Sequence, residues 1–179
     1  MSAAPMDRFE TQRLVAARLG EADEAWSRAF FREPEQIASI RMEFTDEQIH
    51  DRLMDDIEHW DRYGFGVYAL RDGATGEPIG RLGLRHINIA GTDEVELLYG
   101  ITAPRWGEGL ATEAAAVAVE LGFAHGLASI VAFTLPTNRA SRRVMKKTGF
   151  KYERDIEYQE LLHVLYRRQA PAATQTTRR

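Results

Sequence analysis

One stretch restricts this chain more than any other: a β-rich run Glu94–Ile101, a turn Pro104-Arg105-Trp106-Gly107-Glu108-Gly109, and a strongly helical run from Gly109 to about His125. A strand that passes through glycines into an apolar helix has to sit in a sheet with that helix packed on it. The start of the helix presents backbone N–H groups with no intrahelical acceptor, and a partial positive charge, which suits phosphate oxygens. Gly107 and Gly109 free the backbone for unusual torsions and let a bulky anion approach without meeting a Cβ, and Ala111 keeps the next turn uncluttered. The same two glycines would also serve a plain tight turn into a buried helix.

Other phosphate and metal motifs do not fit. A dinucleotide fingerprint needs a third glycine where Gly107-Glu108-Gly109-Leu110-Ala111-Thr112 has Thr112, and an acid about twenty residues on, where Leu127–Phe133 has none. The P-loop pattern, a His-Glu-x-x-His pair and a nucleophile elbow are all missing. The absence of cysteine removes disulfides, thiolate metal sites and a cysteine nucleophile.

The rest of the chain predicts one α/β domain over residues 8–168, with a disordered tail at 169–179. Strands are expected at Arg13–Leu19, Val67–Arg71, Ile79–Arg85, Ser129–Leu135, Tyr152–Tyr158 and Leu161–Arg167. Helices are expected at Asp23–Phe31, interrupted by Pro34, at Thr45–Arg62 with Thr45 as N-cap, and at Asn138–Thr148. This order implies a mixed twisted sheet of about six to seven strands with helices on both faces. With 44% apolar and 28% charged residues the composition is that of a globular protein, and the net charge of −4 argues against a nucleic-acid coat. No apolar run approaches a membrane span and no leader is visible at Met-Ser-Ala-Ala-Pro, so a cytoplasmic protein without membrane partners is expected.

Trp106-Gly107-Glu108-Gly109-Leu110-Ala111-Thr112-Glu113-Ala114 resembles the pyrophosphate loop of the GCN5-related N-acetyltransferases (GNAT), above all the RimJ/RimL-type subgroup that acetylates ribosomal-protein N-termini. Glu10-Thr11-Gln12-Arg13-Leu14 resembles that subgroup's opening strand, and Glu96-Leu97-Leu98-Tyr99-Gly100-Ile101 the strand before the loop. Asn138-Arg139-Ala140-Ser141, with Val144, Lys147 and Gly149-Phe150, resembles its second block. The resemblance runs from about Glu10 to Arg167. It implies the GNAT fold, with two central parallel strands that splay apart, acetyl-CoA as co-substrate and no metal. It places the pyrophosphate on the amides of Gly107, Glu108, Gly109, Leu110, Ala111 and Thr112. Tyr99, Ile101, Trp106, Asn138 and Arg143 become further cofactor contacts. Two departures stand out: Trp106 replaces the family's usual Gln or Arg, and Glu108 puts an acid next to phosphate. Between Asn138 and Arg154 seven basic residues face Glu153 alone, an arrangement that attracts a multiply phosphorylated ligand or simply makes a solvated helix face.

Acetyl transfer to an amine needs a neutral nitrogen, a polarised carbonyl and a proton for the leaving thiolate. Glu96, flanked by Leu97 and Leu98, is the first candidate base; it would otherwise be a solvated edge residue or the partner of Arg85. His86 is the reserve base. Many family members carry a Tyr seven residues after the Asn of the second block; Met145 stands there, so Ser141 becomes the candidate proton donor, unless it only caps its helix. A backbone N–H near Leu98–Tyr99 would polarise the carbonyl. On the acceptor side, the acids between Glu43 and Asp61 would form a rim that draws a cationic amine, or a plain solvated face. Trp26, Phe30, Phe31 and Trp60 would floor the mouth or fill the core. The resulting expectation is transfer to a primary amine of a small molecule or protein N-terminus, by a monomer or homodimer. The competing expectations are a non-catalytic acyl-CoA sensor and a mononucleotide-binding regulator.

Overall fold

The structure, a computed structural model, describes residues 6–172. In chain order the elements are β1 (Arg8–Glu10), β2 (Leu14–Arg18), α1 (Glu24–Phe31), α2 (Pro34–Ile40), α3 (Asp46–Tyr63), β3 (Val67–Asp72), β4 (Pro78–Ile89), β5 (Thr92–Ile101), α4 (Leu110–Ala124), β6 (Ser129–Thr134), α5 (Arg139–Lys147), β7 (Lys151–Tyr158) and β8 (Leu161–Gln169). The strands form one sheet in the order β1-β2-β3-β4-β5-β6-β8-β7. Every neighbour is antiparallel except β5 and β6. The sheet therefore has eight strands rather than six to seven; the addition is β1, which pairs with β2 through Phe9 and Ala16. Among the described residues no helix is long and apolar enough to cross a membrane.

The two edges of β5 differ sharply. Against β4 it pairs continuously, from Thr92 opposite Ile89 to Ile101 opposite Gly80. Against β6 it has a single pair, Glu96 with Val131, and beyond it the two strands part. Side chains alternate between the faces of a strand. Leu97 and Tyr99 thus point to the face packed by α4 and α5, while Leu98 packs on Leu53, Met54 and Ile57 of α3, and Glu96 shares that second face. The sheet is covered on both sides, as the strand and helix order requires.

Local chemistry explains the helices. Thr45 and Gln48 form a reciprocal capping box at the start of α3, and Ile49, Leu53 and Trp60 are buried along one side, each contributing about 1.5–3 kcal/mol of apolar burial. Pro34 does not break a helix but opens one: it occupies the first turn of α2, where a missing N–H costs nothing. The Glu33 carboxylate before it accepts from Ala103 N at 3.1 Å, docking α2 against the end of β5. Three of the seven acids of α3 pair with arginines: Asp46 with Arg28 and Arg32, Asp61 with Arg18, and Asp56 with Arg81. Glu47, Asp51, Asp55 and Glu58 make no ion pair among the described residues, so the rim keeps part of its acidity. At the far end β8 reaches Gln169, and Ala170 N–H donates to Ala128 O at 2.8 Å, so ordered pairing continues past Arg168. Residues 173–179 of the expected tail lie outside the described residues.

Candidate active site

After β5 the chain makes one tight turn, Ala103–Arg105, and then passes Gly107 at φ 82° and Gly109 at φ 81° before α4 begins. Both values lie in the left-handed region, where a side chain is strained. The first bond of the helix runs from Glu113 N–H to Gly109 O at 3.1 Å, so the N–H groups of Leu110, Ala111 and Thr112 have no acceptor within it.

The back of this loop is braced by two arginines. Arg13, in the turn before β2, donates from Nη1 to Glu108 O at 2.9 Å and from Nε to Glu113 at 2.8 Å, and the Thr11 hydroxyl donates to the same carboxylate at 2.6 Å. Arg105 bridges Asp72 at 2.9 Å and Glu108 at 2.6 Å. The amides of Thr75 and Ala74, together with Arg105, hold the Asp72 carboxyl down at about 2. Glu108 is therefore tied to Arg105, which also lowers its pKa.

A cavity of about 840 Å³ runs from this loop along the opening between β5 and β6 to α2 and α3. Tyr99, Ile101, Trp106, Gly107, Gly109, Leu110, Ala111, Thr112, Asn138 and Arg143 all line it; of the expected cofactor residues only Glu108 does not. Arg139, Arg143 and Lys147 line it as well, and their spacing of four residues makes them a single exposed stripe along α5. Arg142 belongs elsewhere: its guanidinium donates to Pro136 O at 3.0 Å.

Asn138, not Ser141, is the N-cap of α5. Its Oδ1 accepts from Ser141 N–H at 3.1 Å, which leaves the Ser141 hydroxyl free of capping. That hydroxyl lies 2.9 Å from the Tyr99 phenol, which also donates to Ser141 O at 2.9 Å. Burial raises the Tyr99 pKa well above its ordinary value, so the phenol keeps its proton. Sequence reasoning gave Tyr99 only a binding role; its pairing across the cleft with α5 has no local sequence signal. Gln36 of α2, also unanticipated, donates to Ile101 O at 2.6 Å, as does the Trp106 indole.

On the opposite face of the sheet, Glu96 lines the cavity, buried, and accepts from Arg85 Nε at 3.1 Å. Arg85 is its direct neighbour across the β4–β5 ladder. Arg81, four residues earlier on β4, is buried with Asp56 at 2.7 Å. Phe30 and Phe31 line this end, whereas Trp60 is core, its indole donating to Val67 O at 2.8 Å, and Trp26 only packs on Phe30.

His86 does not reach the cleft. It is an exposed β4 residue stacked on Tyr63 with ring centroids 4.3 Å apart, and its backbone N–H donates to His59 Nε2. It lines a neighbouring cavity with His59 and Asp56 rather than the one that holds Glu96. A different histidine, His163 of β8, does line the cavity. Its Nδ1 lies 2.9 Å from Leu161 O, which requires a proton on Nδ1 and leaves a lone pair on Nε2 in the neutral ring. Only the pairing of β8 with β6 brings it there.

Comparison with known proteins agrees with the fold. Residues 13–151 match the family model described as Acetyltransferase (GNAT) domain. YkkB of Bacillus subtilis (strain 168), an uncharacterized protein, is 33% identical over 95 residues, 52% of this chain and 55% of that protein. The chain thus spans about half the length of the curated relatives it matches. Among solved structures, an acetyltransferase from Agrobacterium tumefaciens str. C58 superposes with a TM-score of 0.79 at 25% identity, covering 90% of this chain and 94% of that one. Mycobacterium smegmatis RimJ, solved in complex with CoA-disulfide, shares the fold with a TM-score of 0.76 at 20% identity, covering 97% of this chain and 91% of that one.

Proposed function

The chain belongs to the GNAT acetyltransferase family, and we propose that it is an acetyl-CoA-dependent N-acetyltransferase that passes the acetyl group to a primary amine by direct attack in a ternary complex. One observation carries the reading: β5 and β6 touch at the Glu96–Val131 pair alone, and the opening beyond that pair runs straight from the free amides of α4 to the Glu96 carboxylate.

The residues present fit acetyl-CoA. Amides of 107–112 face a diphosphate, with nothing within 4 Å of where a Cβ at Gly107 would sit. Arg139, Arg143 and Lys147 add positive charge beside it. The unpaired edge of β5 past Glu96 offers main-chain groups to an amide-bearing arm in the manner of an added strand. Bound there, acetyl-CoA supplies an activated acyl group.

The chain's own residues do the rest. Glu96 takes the proton of the incoming ammonium, with Arg85 holding the carboxylate in place. From the other face of the sheet the Ser141 hydroxyl, backed by the Tyr99 phenol, gives a proton to the leaving sulfur. With no cysteine in the chain, no thiol is present to carry the acyl group on the protein.

The competing reading is an acyl-CoA-binding module in which Glu96 serves only as counter-ion to Arg85, and the observed ion pair gives it substance. Thiol release from acetyl-CoA over a panel of primary amines separates the two. The transferase reading expects amine-dependent release that Glu96→Gln lowers by about 10²–10⁴-fold while CoA affinity is kept. Release no faster than hydrolysis with every amine, alongside intact CoA binding, establishes the binding module instead.

A further inference from the structure

The acceptor end of the cavity gathers three arginines, one of them without an ion-pair partner among the described residues. Arg52 of α3 and Arg81 and Arg85 of β4 converge on it. Arg81 is matched by Asp56 and Arg85 by Glu96. Asp56 lies one helical turn from Arg52 and could have paired with it, yet its carboxylate is turned to Arg81. Among the described residues Arg52 has neither an ion pair nor a hydrogen bond. Its guanidinium carbon sits 4.1 Å from the centre of the Phe44 ring. That contact engages the face of the ring, and no hydrogen bond uses the guanidinium N–H groups. Arg52 also stands where the main cavity meets a second one of about 540 Å³, shared with Asp51, Asp55 and His59.

Holding a guanidinium partly out of water with no partner is unfavourable, and burial and the charges of Arg85 and Arg81 weaken its hold on its proton. A carboxylate meeting the two free N–H edges would reverse that cost and add bidentate geometry that a neutral ligand cannot match. We propose that Arg52 is the subsite for a carboxylate on the acceptor, so that the amine acetylated by this chain belongs to a molecule that also bears a carboxylate. The proposal rests on the transferase reading for its kinetic consequences. The carboxylate-binding property itself does not depend on turnover.

Matched acceptor pairs test it: glycine against glycinamide, 5-aminovalerate against pentylamine, and the peptide Ala-Glu-amide against Ala-Gln-amide. The expected result is at least a tenfold higher kcat/KM for the carboxylate member of one or more pairs. The pair that responds tells a free amino acid from an acidic peptide. Arg52→Gln should bring that ratio close to one, and Arg52→Lys, which keeps the charge but not the fork, should restore part of it. In parallel, glutarate, which has no amine, should bind the wild-type chain by calorimetry and bind Arg52→Gln at least tenfold more weakly. Neutral acceptors preferred throughout, or a carboxylate preference that survives Arg52→Gln, overturns the proposal. Glutarate binding that needs Arg52, with no thiol release from any amine, keeps the subsite and removes the transferase reading. If no glutarate binding occurs while neutral amines turn over, the subsite falls and the transferase reading stands.

Discussion

The two ends of the cleft are built from different groups. At the donor end the protein presents backbone: the amides of 107–112, the open edge of β5, and a stripe of exposed cations on α5 with no buried ion pair among them. At the acceptor end it presents side chains, with Arg81–Asp56 and Arg85–Glu96 withdrawn from water and Arg52 held between them. A backbone site tolerates almost any side chain provided the torsions are right. An ion-pair site depends on each partner. Changes at the donor end should therefore show up in cofactor affinity, and changes at the acceptor end in folding and in the choice of amine.

The strongest challenge to this contrast is Asp56→Ala. Removing one partner of a buried pair strands Arg81 without compensation and should cost about 3–5 kcal/mol, read as a lowered urea midpoint. A loss below about 1 kcal/mol would mean that the acceptor end is no more dependent on its ion pairs than a surface is. Next in size, Gly109→Val places a β-branched residue at φ 81°, a strain of about 1–3 kcal/mol. CoA should bind roughly tenfold or more weakly, with the KM for the amine little changed; equal loss for both ligands would blur the two ends into one site. The double change Arg139→Gln, Arg143→Gln should weaken CoA several-fold at low salt and have almost no effect at high salt, because these cations are exposed and screened.

The smallest expected effect concerns pH and lies outside both ends. His59 Nδ1 sits 2.8 Å from Phe65 O and its Nε2 accepts the His86 N–H, an arrangement only the neutral ring satisfies. Burial, with the nearby His86, lowers its pKa below the ordinary 6.5. The stability it provides is therefore complete above pH 6.5 and is lost as pH falls through the lowered value. Urea midpoints at pH 7.5 and 5.5 should differ more in the wild type than in His59→Gln.

The same division explains what was legible in advance. The glycine loop could be read from glycine spacing and a helix start, because torsions and unpaired amides are properties of a short contiguous segment; Gly107 and Gly109 take left-handed torsions just before α4 begins at Leu110. The acceptor end is built across the fold. That Glu96 meets Arg85 depends on the register of β4 against β5. That Arg52 is left single depends on Asp56 choosing Arg81. His163 enters through β8, and His86 drops out because it sits on the exposed rim against Tyr63. Within local reach, Pro34 marks the end of α1, and its missing N–H also suits the first turn of α2, a helix that the expected elements do not include. Asn138 and Ser141 both read as possible caps of α5, and the side chain that caps it is that of Asn138.

The grip of Arg13 on Glu108 and Glu113 ties positions about a hundred residues apart in the chain. A fragment carrying the glycines and α4 alone would have the right spelling without its support. The glycine loop is consequently not a portable cassette. It reaches working shape only when the first hairpin has docked, a distant closure that comes late when non-local contacts govern the order of folding.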